Sequence, residues 1–476
     1  MLGLHGTLNL GARSLQTQSQ GLAVAGQNLA NVHNPTYTRQ RLLLQTTTPL
    51  QGTFGSQGTG VGTQGIQQVL NSLLDRQIQS ETSVSGFWEA HRTALDLAQT
   101  NLAETFNSRT QTTAGAAAAG EAGAAATLAN QLSAFFNEWQ NLAATPASLP
   151  QRSALLARAQ SLAAQFQQTD ARLTQLNAQL NEAVDTDVAQ ANELLTAIAR
   201  LNDQIQRAEL GRPGSANDLR DLRRQKLESL ATLANVDTAE TPEGQLTLSV
   251  GGVQLVAGRN VLDTLAPYND ANGQRLVRTT TAATPLTLTA GRLAGAIDAR
   301  DGPLATLRTD LDALAATLIR EVNARHRPGF NLNGQSGADF FAGTDAASIR
   351  VAPALIADPA LLQASGTAGA SGDNQVALAL ARLAQQPQAD LGNQTFASRY
   401  SHIVTSLGEA LAHANSQVED QRLLASFLAG QRSSVSGVSI DEEMTDLVKF
   451  QKAFQASARI ITTVDEMLDE VINLKR

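Results

Sequence analysis

Glycines at positions 60, 62 and 65 spell Gly-x-Gly-x-x-Gly, the turn that lets a dinucleotide pyrophosphate approach backbone N–H groups at a helix start. That chemistry needs a buried parallel strand before the turn, a helix after it and an acid about 20 residues on. Here QTTTPLQGTFGSQGT precedes it and reads as loop, and alternating strand–helix units are absent, so a glycine-rich bend between helices is the better reading. The histidines His5, His33, His91, His326, His402 and His413 fall in no metal-ligand spacing, and no His-Glu-x-x-His occurs. A Gly-x-Ser-x-Gly elbow for a serine nucleophile is also missing. The chain has no cysteine, which excludes thiolate catalysis, disulfides, Cys-ligated zinc and iron–sulfur clusters. Asp298 and Asp301 beside Arg300, and Glu442-Glu443, are paired acids by sequence, but charged faces and helix caps explain them better than acid–base catalysis. No catalytic, cofactor-binding or metal-ligating residue is assigned, no cofactor is expected, and enzyme chemistry is not expected.

Residues without a reaction to perform must serve the elements that hold them. The 476 residues are enough for two to four domains, and an apolar fraction of 42% is that of a globular chain. Aromatic residues make up only 4%, so Leu, Ala and Val must fill the cores, a mix suited to long helices packed side by side. A net charge of −8 argues against a duplex-binding surface, so no nucleic-acid partner is expected. No apolar run approaches the roughly 18 residues of a membrane span, and no membrane partner is expected. The start, MLGLHGTLNLGARSLQ, lacks the basic and apolar regions of a cleavable signal peptide.

The clearest periodicity lies at the two ends. Leu8, Leu15, Leu22 and Leu29 recur every seven residues, which predicts a helix offering a narrow seam to a partner and ending near Asn31, ahead of Pro35. At the far end Ser439 and Glu442 read as a capping box with Asp441 beside it, and Lys475 and Arg476 suit the negative end of the dipole. Between them Ile440, Leu447, Phe454, Ile461 and Leu468 form one heptad series, and Phe450, Val464 and Val471 a second. A helix over 439–474 would be about 50 Å long. Such ends pair with each other, with neighbouring subunits, or with both, and are expected to be loose until partnered.

Between the ends the period is mostly helical. Amphipathic spacing predicts helix from Ile66 to Phe106, then a low-complexity tract at 114–127, then a stripe of Leu128, Leu132, Phe135, Trp139 and Leu142 that stops at Pro146. A long helix is predicted over 152–208, a break at GRPGS (211–215), and another helix from Leu219 to Leu233. Gln245 to Val250 and Val253 onward alternate about Gly251-Gly252, a hairpin signal, and Thr-rich texture continues to 289. Helix returns at Leu304–Leu318 and again through Val404, Leu407, Leu411, Val418 and Leu428, while 327–375 reads as loops or a small irregular subdomain.

The ends also carry motifs. Asn28-Leu29-Ala30-Asn31-Val32-His33-Asn34-Pro35-Thr36-Tyr37-Thr38-Arg39-Gln40 resembles the Asn-x-x-Asn-x-x-Thr-x-Gly-Tyr-x-Arg-Gln signature of flagellar rod, hook and hook-associated proteins. Ser436-Gly437-Val438-Ser439-Ile440-Asp441-Glu442-Glu443, then Leu447, Phe450-Gln451 and Phe454-Gln455-Ala456-Ser457-Ala458, is similar to the hook-associated members of that family. Phe135-Phe136-Asn137, Asn217-Asp218-Leu219, Leu293-Ala294-Gly295 through Arg300-Asp301, and Gly334-Gln335 to Asp339-Phe340-Phe341 follow in the family's order. Two departures stand out. Asn34 and Thr36 replace the usual Thr and Gly, and Val69, Leu70 and Asn71 stand where the family tends to show an Arg-x-x-Asp pair after Gly60-Val61-Gly62.

The resemblance implies a secreted structural subunit of the bacterial flagellum, exported unfolded, forming the junction ring between hook and filament. Implied partners are identical copies, the hook protein, a second junction protein (hook-associated protein 3) and a cytoplasmic export chaperone at the C-terminal helix. The implied assembly residues are Leu8, Leu15, Leu22, Leu29, Leu447, Phe454, Ile461 and Leu468, with Asn28, Asn31, Pro35, Tyr37 and Arg39 as family-motif positions. The expected fold is mainly α with a β-rich insert: a long helical bundle, paired terminal coiled-coil helices and a smaller β-containing outer domain. Residues 1–35 and 437–476 would form the inner terminal domain, and 36–235, 293–326 and 391–436 the bundle. Residues 236–292 would be an outward insert removable at its glycine-marked edges, and 327–390 the irregular segment. Other readings are a hook or distal rod subunit, which would be β-rich in the middle, and a surface adhesin whose insert binds a ligand.

Overall fold

The computed structural model describes residues 3–52, 55–102, 127–212, 214–241 and 245–473. Helix α1 (Leu4–Ala30) ends at Asn31, as the approaching Pro35 requires. A β-hairpin follows, with β1 (Gln40–Thr46) antiparallel to β4 (Val61–Gln68) and a tip made by β2 (Leu50–Gly52) and β3 (Gly55–Gln57). The glycine motif therefore lies in the return strand of a hairpin, not in a bend between helices, and it precedes no nucleotide-binding βα unit. Helix α2 (Ser72–Asn101) begins only after an Asn71 cap whose side chain accepts from Leu73 and Leu74 N–H. The expected helical start at Ile66 thus gives way to strand, because Ile66 pairs with Leu42. Of the 114–127 tract only Thr127 is among the described residues, where it caps α3 (Leu128–Ala144).

Helix α4 (Leu149–Ala208) runs 60 residues, about 90 Å at 1.5 Å per residue. Ser148 caps it, and α5 (Asn217–Leu233) follows the GRPGS break. Strands β5 (Val236–Glu240), β6 (Leu246–Val250), β7 (Val253–Ala257) and β8 (Asn260–Val261) form an antiparallel sheet in sequence order. Gly251 and Gly252 turn β6 into β7 with φ of +55° and +82°, the hairpin expected there. A second pair, β9 (Leu265–Asn269) and β10 (Arg275–Thr279), completes the strand-rich segment. Then come α6 (Arg292–Ala299), one π-helical turn over Arg300–Leu304 containing Pro303, and α7 (Ala305–His326). Short strands β11 (Phe341–Ala342) and β12 (Arg350–Val351) and short helices α8 (Pro353–Ala357) and α9 (Gln375–Arg382) lead to α10 (Phe396–Ser436) and α11 (Ile440–Asn473).

Two apolar cores share α4. Its first half, Leu155 to Leu180, packs with α2, α3, α7 and the start of α10 around Phe135, Phe166 and Trp139. Residues 327–390 do not form a separate subdomain, because Phe340, Phe341, Ile349, Leu355, Leu362 and Leu380 are all buried in this core. The second half of α4, with Val184, Val188, Ala191, Leu195 and Ile198, packs with α5 and with Leu248, Val250, Leu255 and Val256 of the sheet. A polar row on α4 pins the same sheet: Asn192 bonds both N and O of Leu265 at 2.8 Å, and Asn202 donates to Gly258 O at 2.8 Å. The 236–292 segment is therefore strand-rich as expected but has no core of its own. Uncovering each large α4 side chain beneath it costs roughly 1.5–3 kcal/mol. Deleting 236–292 should lower solubility and the melting temperature. A deletion protein that melts like the parent would show that α4 finds other cover.

His326 is fully buried at the end of α7, with Nδ1 donating to Ala338 O at 2.8 Å and Nε2 accepting from Gln363 N–H at 3.0 Å. Burial pushes its pKa down to about 4. The folded value lies below the unfolded one of about 6.5, so this stabilisation is complete above pH 6.5 and is lost as pH falls toward 4. Urea unfolding should show up to about 3 kcal/mol lost across that window from this group, at 1.36 kcal/mol per unit. In His326→Gln the acid limb should be shallower by that amount. An unchanged slope would remove His326 from the pH response.

Candidate assembly site

Helices α1 and α11 lie antiparallel, and what lets them meet is small residues on α1 against larger ones on α11. A Cβ built on Gly11 would sit 2.8 Å from Ile461 Cγ1, and one on Gly21 would sit 2.5 Å from the Phe450 ring. Between these contacts Ser14 Oγ lies 2.7 Å from Ser457 Oγ, and at the base Asn28 Nδ2 donates to Glu443 Oε2 at 3.0 Å. The seam thus follows Gly11, Ser14, Gly21 and Asn28. Ser14, Gly21 and Asn28 stand one residue out of step with the leucine heptad and so about 100° round the helix from it, with Gly11 between the two lines. Leu8, Leu15, Leu22 and Leu29 flank the contact and stay half-buried rather than forming the seam. On α11, Leu447, Phe450, Ile461 and Leu468 are half-buried and Val464 is buried, whereas Ile440, Phe454 and Val471 are exposed.

At the base of the pair, the segment after α1 is tied to both ends of the chain and to the bundle. Asn28 is buried, and its Oδ1 accepts from Gln40 N at 3.0 Å and Tyr37 Oη at 2.8 Å while Nδ2 donates to Gln40 O at 2.9 Å. Arg39 reaches Glu443 Oε1 at 2.7 Å and also contacts Glu442, and its N–H donates to Ser436 O at 2.9 Å. Glu442 therefore pairs across to Arg39, which is a different job from closing the expected capping box with Ser439. Asp221 of α5 accepts from Thr38 N at 3.0 Å and Thr38 Oγ1 at 2.5 Å, and Arg224 donates to Thr36 O at 2.7 Å. Asn217 and Asp218 hold the hairpin: Asn217 Nδ2 donates to Ile66 O at 3.1 Å, and Asp218 accepts from Gln40 Nε2 at 3.1 Å.

The departure at Asn34 and Thr36 is absorbed locally. Asn34 Oδ1 accepts from Thr36 N at 3.2 Å and Thr36 Oγ1 at 2.8 Å, and Tyr37 N donates to Asn34 O at 3.2 Å. Thr36 does not have positive φ, so this turn needs no glycine there. Pro35 is exposed in the turn, and Asn31 Nδ2 returns to Gln27 O at 3.0 Å, closing the helix end. Burial, followed by the nearby Asp218, Asp221 and Glu443 carboxylates, pushes the Tyr37 hydroxyl well above its ordinary value, so it remains a donor to Asn28. Burial works against the charge on Arg39, but Glu442 and Glu443 outweigh it and raise its pKa. Burial also pushes the Asp221 carboxyl up, against the hydrogen bonds from Thr38.

The paired acids singled out by sequence are likewise structural. Arg300, itself buried, forks onto Asp301 at 2.7 and 2.8 Å and donates to Asn181 Oδ1 and Arg275 O, while Asp298 lies 3.1 Å from His91 Nδ1. Among the described residues no group of three or more His, Asp or Glu side chains is placed to hold a metal ion. The structure brings Asn28, Tyr37 and Arg39 together with Glu443, which the sequence marks only as one of two neighbouring acids, whereas Asp221, Arg224, Gly11 and Gly21 were not singled out. The Asn217-Asp218-Leu219 motif was the available signal for the bundle side.

Gly21→Val puts two methyl groups into the Phe450 ring, and overpacking of this kind costs typically 1–3 kcal/mol. Limited proteolysis should release the two terminal helices faster in this variant, with the melting temperature of the bundle unchanged. Wild-type cleavage rates would mean the pair is not held at Gly21.

Residues 121–341 match the family model described as the flagellar hook-associated protein FlgK helical domain, and residues 429–474 match the flagellar basal body rod FlgEFG protein C-terminal model. Flagellar hook-associated protein 1 of Bacillus subtilis (strain 168) is 27% identical over 511 aligned residues, covering 98% of this chain and 97% of that one. Its counterpart of the same name in Escherichia coli (strain K12) is 24% identical over 565 residues, covering 98% and 99%. The fold is similar to that of the flagellar hook junction protein FlgK from Burkholderia pseudomallei, with a TM-score of 0.65 at 15% identity, covering 76% of this chain and all of that one. With its bundle and its C-terminal helix each matched in order, and relatives aligned end to end, the chain is similar along its whole length to flagellar hook-associated protein 1.

Proposed function

We propose that this chain is a structural subunit of the bacterial flagellum that assembles through its terminal helices into the ring joining hook to filament. The observation that carries the reading is the second apolar face of the terminal pair. Once α1 and α11 have packed, Leu8, Leu15, Leu22 and Leu29 remain half-exposed, and Ile440, Met444, Val448 and Phe454 remain 37–51% exposed on α11. A two-helix unit with apolar surface on the sides away from its own contact is built to be covered by further helices. Identical copies supply them, with the hook protein on one side and hook-associated protein 3 on the other. Before export the same face of α11 suits a cytoplasmic chaperone, and the working location is outside the cell at the hook–filament joint. The predominantly helical bundle does not favour a hook or distal rod subunit. An adhesin borne on the strand-rich segment is not favoured either, because that segment has no core of its own.

Leu15→Asp or Phe454→Asp places a carboxylate where a neighbouring helix would bury it, at a cost of several kcal/mol per subunit. Neither position is in the core of the monomer, so the melting temperature should stay near wild type. Cells carrying either variant should be non-motile and should shed filament subunits into the medium, and immunogold label on wild-type cells should mark the joint alone. Normal motility at wild-type protein levels would remove these faces from assembly, and a large drop in melting temperature would make them ordinary core.

A further inference from the structure

Sulfur in this chain is confined to methionine, three residues in all, and the two described ones both lie on α11. Met444 and Met467 are 48% and 49% exposed. Each continues an exposed apolar row at helical spacing, Ile440–Met444–Val448 and Met467–Val471, whose members are 48–54% exposed. Among the described residues, the α1 contacts of Gly11, Ser14, Gly21 and Asn28 fall on Ile461, Ser457, Phe450 and Glu443, not on either methionine.

We propose that Met444 and Met467 are oxidation sites through which hydrogen peroxide switches off assembly of the free subunit. The sulfur lone pair takes one oxygen from peroxide, the O–O bond breaks, an S–O bond forms and water leaves, giving the sulfoxide. That product turns an adaptable apolar side chain into a polar one on the row another helix must cover. Exposure makes both sulfurs reactive in the free subunit, and burial in an assembled ring would shield them. The consequence for assembly rests on the proposed function above, whereas the chemistry does not.

The test treats the purified full-length chain with hydrogen peroxide and then supplies it to hook-bearing cells that lack it. Peptide masses should show both methionines converted, with no change in melting temperature, and Met1 is read as a separate peptide. Joining of filament to hook should fall on the order of tenfold or more, as expected when buried apolar side chains become polar. The joining of Met444→Leu/Met467→Leu, read against its own untreated sample, should not change on peroxide treatment, and Met444→Gln/Met467→Gln should reproduce the loss untreated. Oxidised wild type that joins like untreated protein overturns the proposal, as does a Leu variant that remains peroxide-sensitive. A fall in melting temperature on oxidation also overturns it, because the methionines would then be core. Failure of untreated wild type to join hook and filament overturns the proposed function and the assembly consequence with it, while the masses and melting data still decide the oxidation chemistry.

Discussion

A buried amide cannot be left with unmatched donors and acceptors, and in this fold one such amide sits where three parts of the chain converge. Asn28 satisfies its side chain from Tyr37, from both backbone groups of Gln40 and from Glu443, 415 residues away. Glu443 in turn is neutralised by Arg39, so the charge brought in by one terminus is balanced by the segment leaving the other. Replacing any one partner strands the rest in a dry site, where an unmatched polar group costs roughly 1–3 kcal/mol. The hairpin, the start of α11 and the end of α10 are all positioned by these bonds, as the Arg39 N–H to Ser436 O contact shows.

The bundle is organised by α4 in a comparable way. One face meets mostly helices along its first half and mostly strands along its second. The helix keeps a single apolar period throughout, and the change of partner is read instead from its polar residues: Asn181, Asp185, Asn192 and Asn202 all bond into the strand-rich segment. These bonds set the register of strands that are too short to set it by themselves.

Helices with a strong apolar period were legible from sequence, including α3, α4, α5 and both terminal helices. Less legible was which side of a helix makes the contact. A heptad of leucines advertises itself, but α1 approaches α11 through glycine and serine, which carry no apolar signal and work by being small. The β1–β4 hairpin was missed because β1 (QRLLLQT) has three leucines in a row instead of an alternation, and glycines and glutamines interrupt Val61, Thr63 and Ile66 in β4. Glu442 had the spacing of a capping residue, and only the fold brings Arg39 close enough to claim it. The family motif located Asn28, Tyr37 and Arg39. The carboxylates facing them lie hundreds of residues away; Glu443 falls inside a family motif of its own, but no local pattern says that it meets Asn28 and Arg39.

The contact between Asn28 and Glu443 closes a loop of nearly the whole chain. Because a covalent chain is made from its first residue onward, α1 must wait for the last helix while everything between is synthesised. During that interval its contact side has no cover. Its composition suits the delay: Arg13 and His5 are the only ionisable side chains over Leu4–Ala30, and Gln, Ser, Thr, Asn and Gly fill most of the remaining surface. A face of small and hydroxylated residues is weakly adhesive, so it does not trap wrong partners early, yet it permits close approach when the right one arrives. The order in which the chain is made is thereby written into the choice of small residues over leucines on the side that must wait longest.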